Sequence, residues 1–164
     1  MKTHIQTVFL NIFFSCLLFT GGCSANNIAG NIAVRSHYSS QQCSIDKASV
    51  RLINNKNELE TLITRSRRTV LSDSSVALPE IDFTKNRALL IALGNKSSAG
   101  YNIKLNADRA EIRDQKLMLP VDIISPDKGG FQAQVITSPC VIISFTKGAY
   151  TRIIVNEALD NVTL

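Results

Sequence analysis

Histidine is almost missing from this chain of 164 residues, which contains only His4 and His37. A Ser-His-Asp or Cys-His nucleophile needs a histidine base, and zinc sites usually need imidazole ligands. The sequence also lacks a glycine-rich phosphate loop before a helix and a calcium loop with regularly spaced carboxylates. Because His37 is predicted to be a solvated linker residue, the chain is predicted not to be an enzyme and to hold no cofactor or metal.

Aromatic residues are also sparse, at 6% of the chain, and they do not alternate with basic residues as they do on surfaces that bind single-stranded nucleic acid. The formal net charge is only +5. The densest basic cluster, Arg65, Arg67 and Arg68, falls near the end of a predicted helix, where positive charge is favourable. We therefore predict no nucleic-acid partner, and no small-molecule substrate is predicted either.

Long apolar runs are absent too. The run Val8–Thr20 is too short for the hydrocarbon core of a bilayer, which needs roughly 20 helical residues. Lys2 precedes this run, and the small residues Gly21 and Gly22 follow it. That order is typical of a cleaved signal peptide, here residues 1–22, rather than of a retained membrane span.

The residues around Cys23 resemble the lipobox of bacterial lipoproteins, in which a signal peptidase cuts before a cysteine that carries diacylglycerol. The sequence departs from that pattern at Thr20, where the family prefers Leu. The resemblance implies a lipid anchor on Cys23. Ser24 in place of Asp then favours the outer membrane of a Gram-negative cell. Plain secretion, with cleavage near Gly22 or Ala25, is the alternative.

Four cysteines are present. Cys16 would leave with the leader and Cys23 would be lipidated, so Cys43 and Cys140 remain in an oxidising compartment and are predicted to form a disulfide. Redox catalysis is not favoured, because there is no Cys-x-x-Cys pair.

The rest of the chain divides into a flexible tether over residues 23–42 and one β-rich domain over residues 43–164. The tether is rich in Ser, Asn, Ala and Gly, which is typical of a flexible linker. An edge strand over Ile32–Val34 is an alternative for part of it. In the domain, Asn57 is a plausible N-cap for a helix whose apolar face is Leu59, Leu62 and Ile63.

Residue patterns typical of β-strands occur on both sides of this helix. They cover residues 48–53, 87–93, 101–105, 110–113, 116–124, 131–136, 141–145 and 150–155. Residues 87–93 are continuously apolar and predict a central strand buried on both faces, with Asp82 as a turn residue before it. The predicted fold class is mainly β (α+β), with antiparallel β-sheets forming a sandwich or partly open barrel around one packed α-helix.

One loop stands out as a candidate binding site, because small polar residues on a rigid β scaffold commonly present a binding loop. Its glycines suit a demanding backbone geometry. A second glycine turn lies further along the chain. The predicted protein-binding residues are Asn95, Lys96, Ser97, Ser98, Ala99, Gly100 and Tyr101, with Gly129 and Gly130 in the second loop.

Five segments, taken in order along the chain, form one pattern: Ile81-Asp82-Phe83, Ala88–Leu93, Gly94–Tyr101, Pro126–Gly130 and Thr137-Ser138-Pro139. Over residues 48 to 156 this pattern resembles the C-terminal domain of PrcB, a subunit of a bacterial surface protease complex. The loop has Ser98-Ala99 where that family typically has Thr-Gly. The resemblance implies a protein-binding accessory module that assists or stabilises a partner protease.

The same loop, residues 95–101, is similar to the loop with which chagasin-like cysteine protease inhibitors enter a protease cleft, although no Pro follows Asn95. The resemblance implies inhibition as an alternative function. A purely structural envelope lipoprotein is a third possibility. The expected partners are an envelope protein, such as a protease, and a membrane through the lipid anchor.

Overall fold

The structure, a computed structural model, describes residues 30–68, 78–127, 129–155, 159 and 162–163. The predicted leader and the predicted lipidation site Cys23 lie outside the described residues. Within these ranges no helix is long and apolar enough to cross a membrane.

The described residues form ten strands and one helix. In chain order these are β1 Gly30–Ser40, β2 Ala48–Ile53, α1 Lys56–Arg68, β3 Asn86–Leu93, β4 Asn102–Leu105, β5 Arg109–Arg113, β6 Lys116–Met118, β7 Val121–Ile124, β8 Cys140–Thr146, β9 Arg152–Ile154 and β10 Val162–Thr163.

In the described part of the chain, eight strands form one curled sheet in the order β10-β9-β6-β5-β1-β8-β3-β2. Its neighbours are antiparallel except β6 and β9, which are parallel. The sheet curls into a half-barrel, so that Cα atoms of β10 come within 8 Å of those of β2. The small sheet of β4 and β7 packs against the inside of the curl. The predicted mainly β fold with a partly open barrel and one helix is confirmed.

Strand β3 is central and buried on both faces, as its continuous apolar sequence predicts. Leu89 and Ile91 face the inside of the half-barrel, while Leu90 faces the outside, where helix α1 covers the sheet with Leu59 and Ile63. The alternation of side chains along a strand therefore builds two apolar layers from one run.

The helix begins earlier than the predicted cap at Asn57. The Asn55 side-chain oxygen accepts a hydrogen bond of 2.9 Å from the backbone N–H of Glu58. The Glu58 carboxylate in turn accepts one of 3.0 Å from the backbone N–H of Asn54. This reciprocal arrangement satisfies two backbone donors at the start of the helix, so Asn55 is the cap and Asn57 lies within the first turn.

The predicted tether over residues 23–42 is wrong for its second half. Gly30–Ser40 forms a strand in the middle of the sheet, between β5 and β8. Its polar residues are accommodated because the ladder bonds satisfy the backbone, and because Tyr38 and His37 hydrogen-bond across the sheet surface to Ser66 and Ser144. His37 is accordingly half-buried and is not a solvated linker residue.

Two strand predictions are also wrong in detail. Residues 131–136 alternate in sequence but form no strand, because their backbone is held by a neighbouring loop and their apolar side chains face solvent. The segment 116–124 divides into β6 and β7, which belong to different sheets. The chain changes sheet between Met118 and Val121, where Pro120 lacks the N–H that would continue a ladder.

The predicted disulfide is confirmed: Cys43 and Cys140 are bonded, with Cα atoms 6.0 Å apart. Both cysteines are buried beneath helix α1. The bond joins residues separated by 97 positions in the sequence, and it fixes the segment after β1 to the start of β8.

Candidate functional site

Two loops meet at one end of the curled sheet. The β3–β4 loop begins where β3 ends, and the β7–β8 loop leads into β8. Because β3 and β8 are neighbours, with Ala92 opposite Cys140, the loops are adjacent. We call residues 94–101 together with residues 125–137 the paired-loop surface.

Backbone hydrogen bonds tie these two loops into one unit. Lys96 and Thr137 exchange bonds of 2.8 and 3.0 Å, and the Ala99 N–H donates to the Ala133 carbonyl at 3.0 Å. The Thr137 hydroxyl donates to the Ser98 carbonyl at 3.1 Å. The loops are therefore held to each other rather than projecting separately.

Two glycines of the β3–β4 loop lie at close approaches to neighbouring segments, Gly94 to residues 46–48 and Gly100 to the β7–β8 loop. Gly94 has φ +71°, and a Cβ built there would lie 2.6 Å from the Ala48 nitrogen. Gly100 has φ +96°, and a Cβ there would lie 2.9 Å from the Pro126 Cβ. Both positions combine a left-handed backbone with a contact that no side chain fits, which confirms the demanding geometry predicted for the loop.

Side chains also position the β3–β4 loop. The Asn95 side-chain nitrogen donates to the Asp46 carboxylate at 3.2 Å, and its backbone N–H donates to the Asp46 carbonyl at 3.0 Å. The Lys96 ammonium lies 5.3 Å from the centre of the Tyr101 ring, within the range of a cation–π interaction. The loop is anchored at both of its ends.

The structure brings all the predicted loop residues to the paired-loop surface. Three positions of the β3–β4 loop are exposed and four are partly buried, and both glycines of the second loop are exposed. The exposed ones are Asn95, Ser97, Gly100, Gly129 and Gly130, and the partly buried ones are Lys96, Ser98, Ala99 and Tyr101. The predicted lipidation site, Cys23, is not among the described residues.

Sequence reasoning missed the apolar side chains of this surface. Phe131 is 108% exposed, Ile136 71% and Val135 50%. Their alternating pattern predicted a strand with one buried face. The signal pointing the other way was the short spacing between Pro126 and Pro139 with two glycines between them, which is typical of a loop. Apolar side chains exposed together mark sites of protein interaction.

A second feature is a Ser–His pair outside this surface. The His37 Nε2 and the Ser144 Oγ are 2.7 Å apart, a distance suited to a nucleophile and its base. Ser144 lies inside β8, however, with Arg35 and Ala88 opposite it on the two neighbouring strands. A serine within a paired strand, with neighbours on both sides, is typical of a structural contact rather than of an exposed nucleophile.

The carboxylates near this pair have local roles as well. Asp82 accepts bonds from the backbone N–H and the hydroxyl of Thr84, as predicted for a turn residue. The Thr84 hydroxyl bond is the main cause that lowers the pKa of Asp82. Within the described ranges, no group of three His, Cys, Asp or Glu side chains is placed to hold a metal ion.

The fold and this surface define a small β domain that carries an apolar loop surface on a rigid scaffold. Comparison with protein families gives a match to the family described as PrcB C-terminal, over residues 88–146. Residues 88–146, less than half of the chain, are thus similar to the PrcB C-terminal domain. No curated protein and no solved structure matches the chain.

The match is narrower than the resemblance noted over residues 48 to 156. It begins inside β3 and ends with β8, so it includes the whole paired-loop surface. It leaves out β1, β2 and the helix, although β1 lies between two strands of the matched segment.

Proposed function

We propose that the protein is a membrane-anchored envelope lipoprotein that binds a partner protein, a protease of the cell envelope, through the paired-loop surface and assists or stabilises it. The observation that carries this proposal is the exposure of Phe131, Val135 and Ile136 on the β7–β8 loop, which hydrogen bonds join to the β3–β4 loop. An apolar surface held in a fixed shape loses little conformational entropy on binding.

The family match supports a protease as the partner, since it covers both loops. Phe131 is the expected centre of the interface, because aromatic anchors contribute much of the binding energy in protein complexes. Asn95, Ser97 and Gln134 are exposed polar residues of the same paired-loop surface and could supply the polar rim that such interfaces have.

The test places a photo-crosslinking amino acid at position 131 of the full chain in its native cells, followed by mass spectrometry of the crosslinked products. The matched control is position 118, because Met118 is also an exposed apolar residue, at 40%, but lies on β6. We expect a reproducible envelope protease at position 131 and not at position 118.

Substitution sharpens this result. Phe131→Ser should weaken recovery of the partner at least ten-fold, while Met118→Ser should leave it unchanged and both variants should unfold at the temperature of the parent. Recovery of the same proteins at both positions, or of none, would contradict the proposal. Loss of activity of a papain-type protease on binding would favour the inhibitor function instead.

The anchor is a separate part of the proposal and rests on the order Lys2, Val8–Thr20, Gly21-Gly22 and Cys23. Intact-mass measurement of the exported protein should show cleavage before Cys23 with a diacylglycerol and acyl addition. Cys23→Ser should release the protein from the membrane fraction. An unmodified mass with the chain beginning near Ala25 would support plain secretion.

A further inference from the structure

A cleft of about 450 Å³ lies between helix α1 and the outer face of the sheet, away from the exposed apolar residues of the paired-loop surface. Its size falls within the range of about 300–1,000 Å³ for pockets that hold small molecules. Leu62 on the helix lines it on one side, and Leu90 and Ile142 of the sheet line it on the other. The Cys43–Cys140 disulfide lines the same cleft, so much of its interior is apolar.

Polar groups along one wall of this cleft hydrogen-bond to each other. The Tyr38 hydroxyl and the Ser66 hydroxyl are 2.7 Å apart, and Ser66 donates to the Gln42 carbonyl at 3.0 Å. Ser66 is buried, and this chain of hydrogen bonds satisfies it without a ligand. These hydrogen bonds fix the shape of the cleft, so a charged group of a ligand would be bound at the rim.

The rim carries two guanidinium groups. Arg65 lines the cleft and is exposed, and it makes no hydrogen bond or ion pair with any residue that the structure describes. Arg51 is only loosely paired, at 3.9 Å from Glu58 and with both side chains accessible to water. The one carboxylate in the lining, Asp46, is engaged by Asn95 at 3.2 Å. Among the described residues, the cleft thus combines an apolar interior with the unpaired Arg65 side chain at its rim.

We propose that this cleft binds a free amphipathic carboxylate, a molecule with an aliphatic body and one anionic head group such as a medium-chain fatty acid. The aliphatic body lies between Leu62 and the sheet, and the carboxylate meets Arg65 at the C-terminal half of the helix. A guanidinium matches a carboxylate in geometry as well as in charge. The site does not depend on the proposed partner protein.

The experiment is calorimetric titration of the full chain with decanoate, 1-decanol and acetate. Decanoate should bind saturably. Decanol, which has the aliphatic body without the charge, should bind roughly ten-fold more weakly, the difference expected from one charge-assisted hydrogen bond. Acetate, which has the charge without the body, should give no saturable binding.

Variants assign the site. Arg65→Gln should weaken decanoate roughly ten-fold and leave decanol unchanged, while Arg65→Lys, which keeps the charge but not the planar fork, should weaken decanoate less than Arg65→Gln does. Ser49→Phe places a ring in the cleft and should abolish binding of both. Arg152→Gln, an exposed arginine on β9, is the matched control and should bind like the parent.

Thermal unfolding of each variant shows whether it is folded, and only folded variants are compared. No saturable binding of decanoate to the parent would overturn the proposal. Equal affinities for decanoate and decanol, together with an unaffected Arg65→Gln variant, would overturn it as well, since they would indicate unspecific apolar binding. None of these results bears on the crosslinking experiment at the paired-loop surface, so the two proposals are tested independently.

Discussion

At the scale of single residues, Gly94 is the position where backbone geometry is most constrained. Gly94→Ala would combine a left-handed φ of +71° with a Cβ placed 2.6 Å from the Ala48 nitrogen. Because backbone atoms form the contact, we expect a loss of about 3 kcal/mol or more in the free energy of unfolding. Urea unfolding of the parent and the variant measures it.

Gly129 is the control for this prediction, because its φ is +92° but a Cβ there meets nothing within 4 Å. Gly129→Ala therefore carries the conformational cost alone, about 1–2 kcal/mol. Equal losses at the two glycines would show that the close approach at Gly94 contributes nothing.

His37 gives the chain a predicted pH dependence. Its burial, with a further contribution from the charge of Arg35, lowers its pKa from the usual 6.5. The unfolded chain therefore binds the proton more readily than the folded one, and stability decreases as the pH falls through the unfolded pKa. Urea unfolding at pH 7.5 and pH 5 should show this decrease, and His37→Gln should reduce it.

The other ionisable groups that line the groove around His37 are Arg35, Glu80, Asp82 and Asp108. Arginine stays charged in this range, and carboxylates titrate mainly below it. The pKa of Asp82 is itself lowered, so its stabilising effect is lost at still lower pH. An identical pH dependence in the parent and in His37→Gln would show that His37 is not the responsible group.

At the scale of elements, the start of helix α1 provides a sharp comparison. Asn55→Ala removes the side-chain oxygen that accepts from the Glu58 N–H and should cost about 1 kcal/mol in the free energy of unfolding. Asn57→Ala, two residues further on and exposed, should change it by less than about 0.5 kcal/mol. The reverse order would restore Asn57 as the cap.

The elements also show what sequence patterns can and cannot predict. Strands β2 and β3 were predictable because their apolar residues contact the two apolar layers on either face of the sheet. Strand β1 was not, because its side chains are mostly polar and its place in the sheet comes from backbone pairing with β5 and β8. The strand predicted over residues 131–136 was wrong for the opposite reason. An alternating apolar pattern does not distinguish side chains buried in a core from side chains exposed on a loop.

At the scale of the whole molecule, the disulfide is the main covalent constraint within the described residues. It links positions 97 residues apart, and Cys43→Ala with Cys140→Ala should lower the free energy of unfolding by about 2–5 kcal/mol, the chain-entropy ceiling being about 4.7. Urea unfolding measures this loss, and adding a reductant should destabilise only the parent. An unchanged stability in the double variant would contradict the prediction.

The overall class of fold followed from the sequence, and so did the pairing of Cys43 with Cys140. The candidate site followed only in part. Both loops were identified from their glycines, but their union depends on β3 and β8 being neighbours, which no local pattern encodes. The cleft beside the helix depends on the packing of α1 against β1, β2, β3 and β8, and it left no local signal in the sequence.

Strand β1 sets how far the paired loops could lie from the proposed lipid anchor. It begins at Gly30 and ends at Ser40, which lies opposite Cys140 beside the paired loops. With the lipid proposed on Cys23, the chain to Gly30 can extend at most roughly 25 Å. Eleven strand residues then carry the loops up to roughly 35 Å further from the bilayer. The paired loops could therefore lie up to roughly 60 Å from a lipid on Cys23, which limits how far from the membrane an anchored chain could meet its partner.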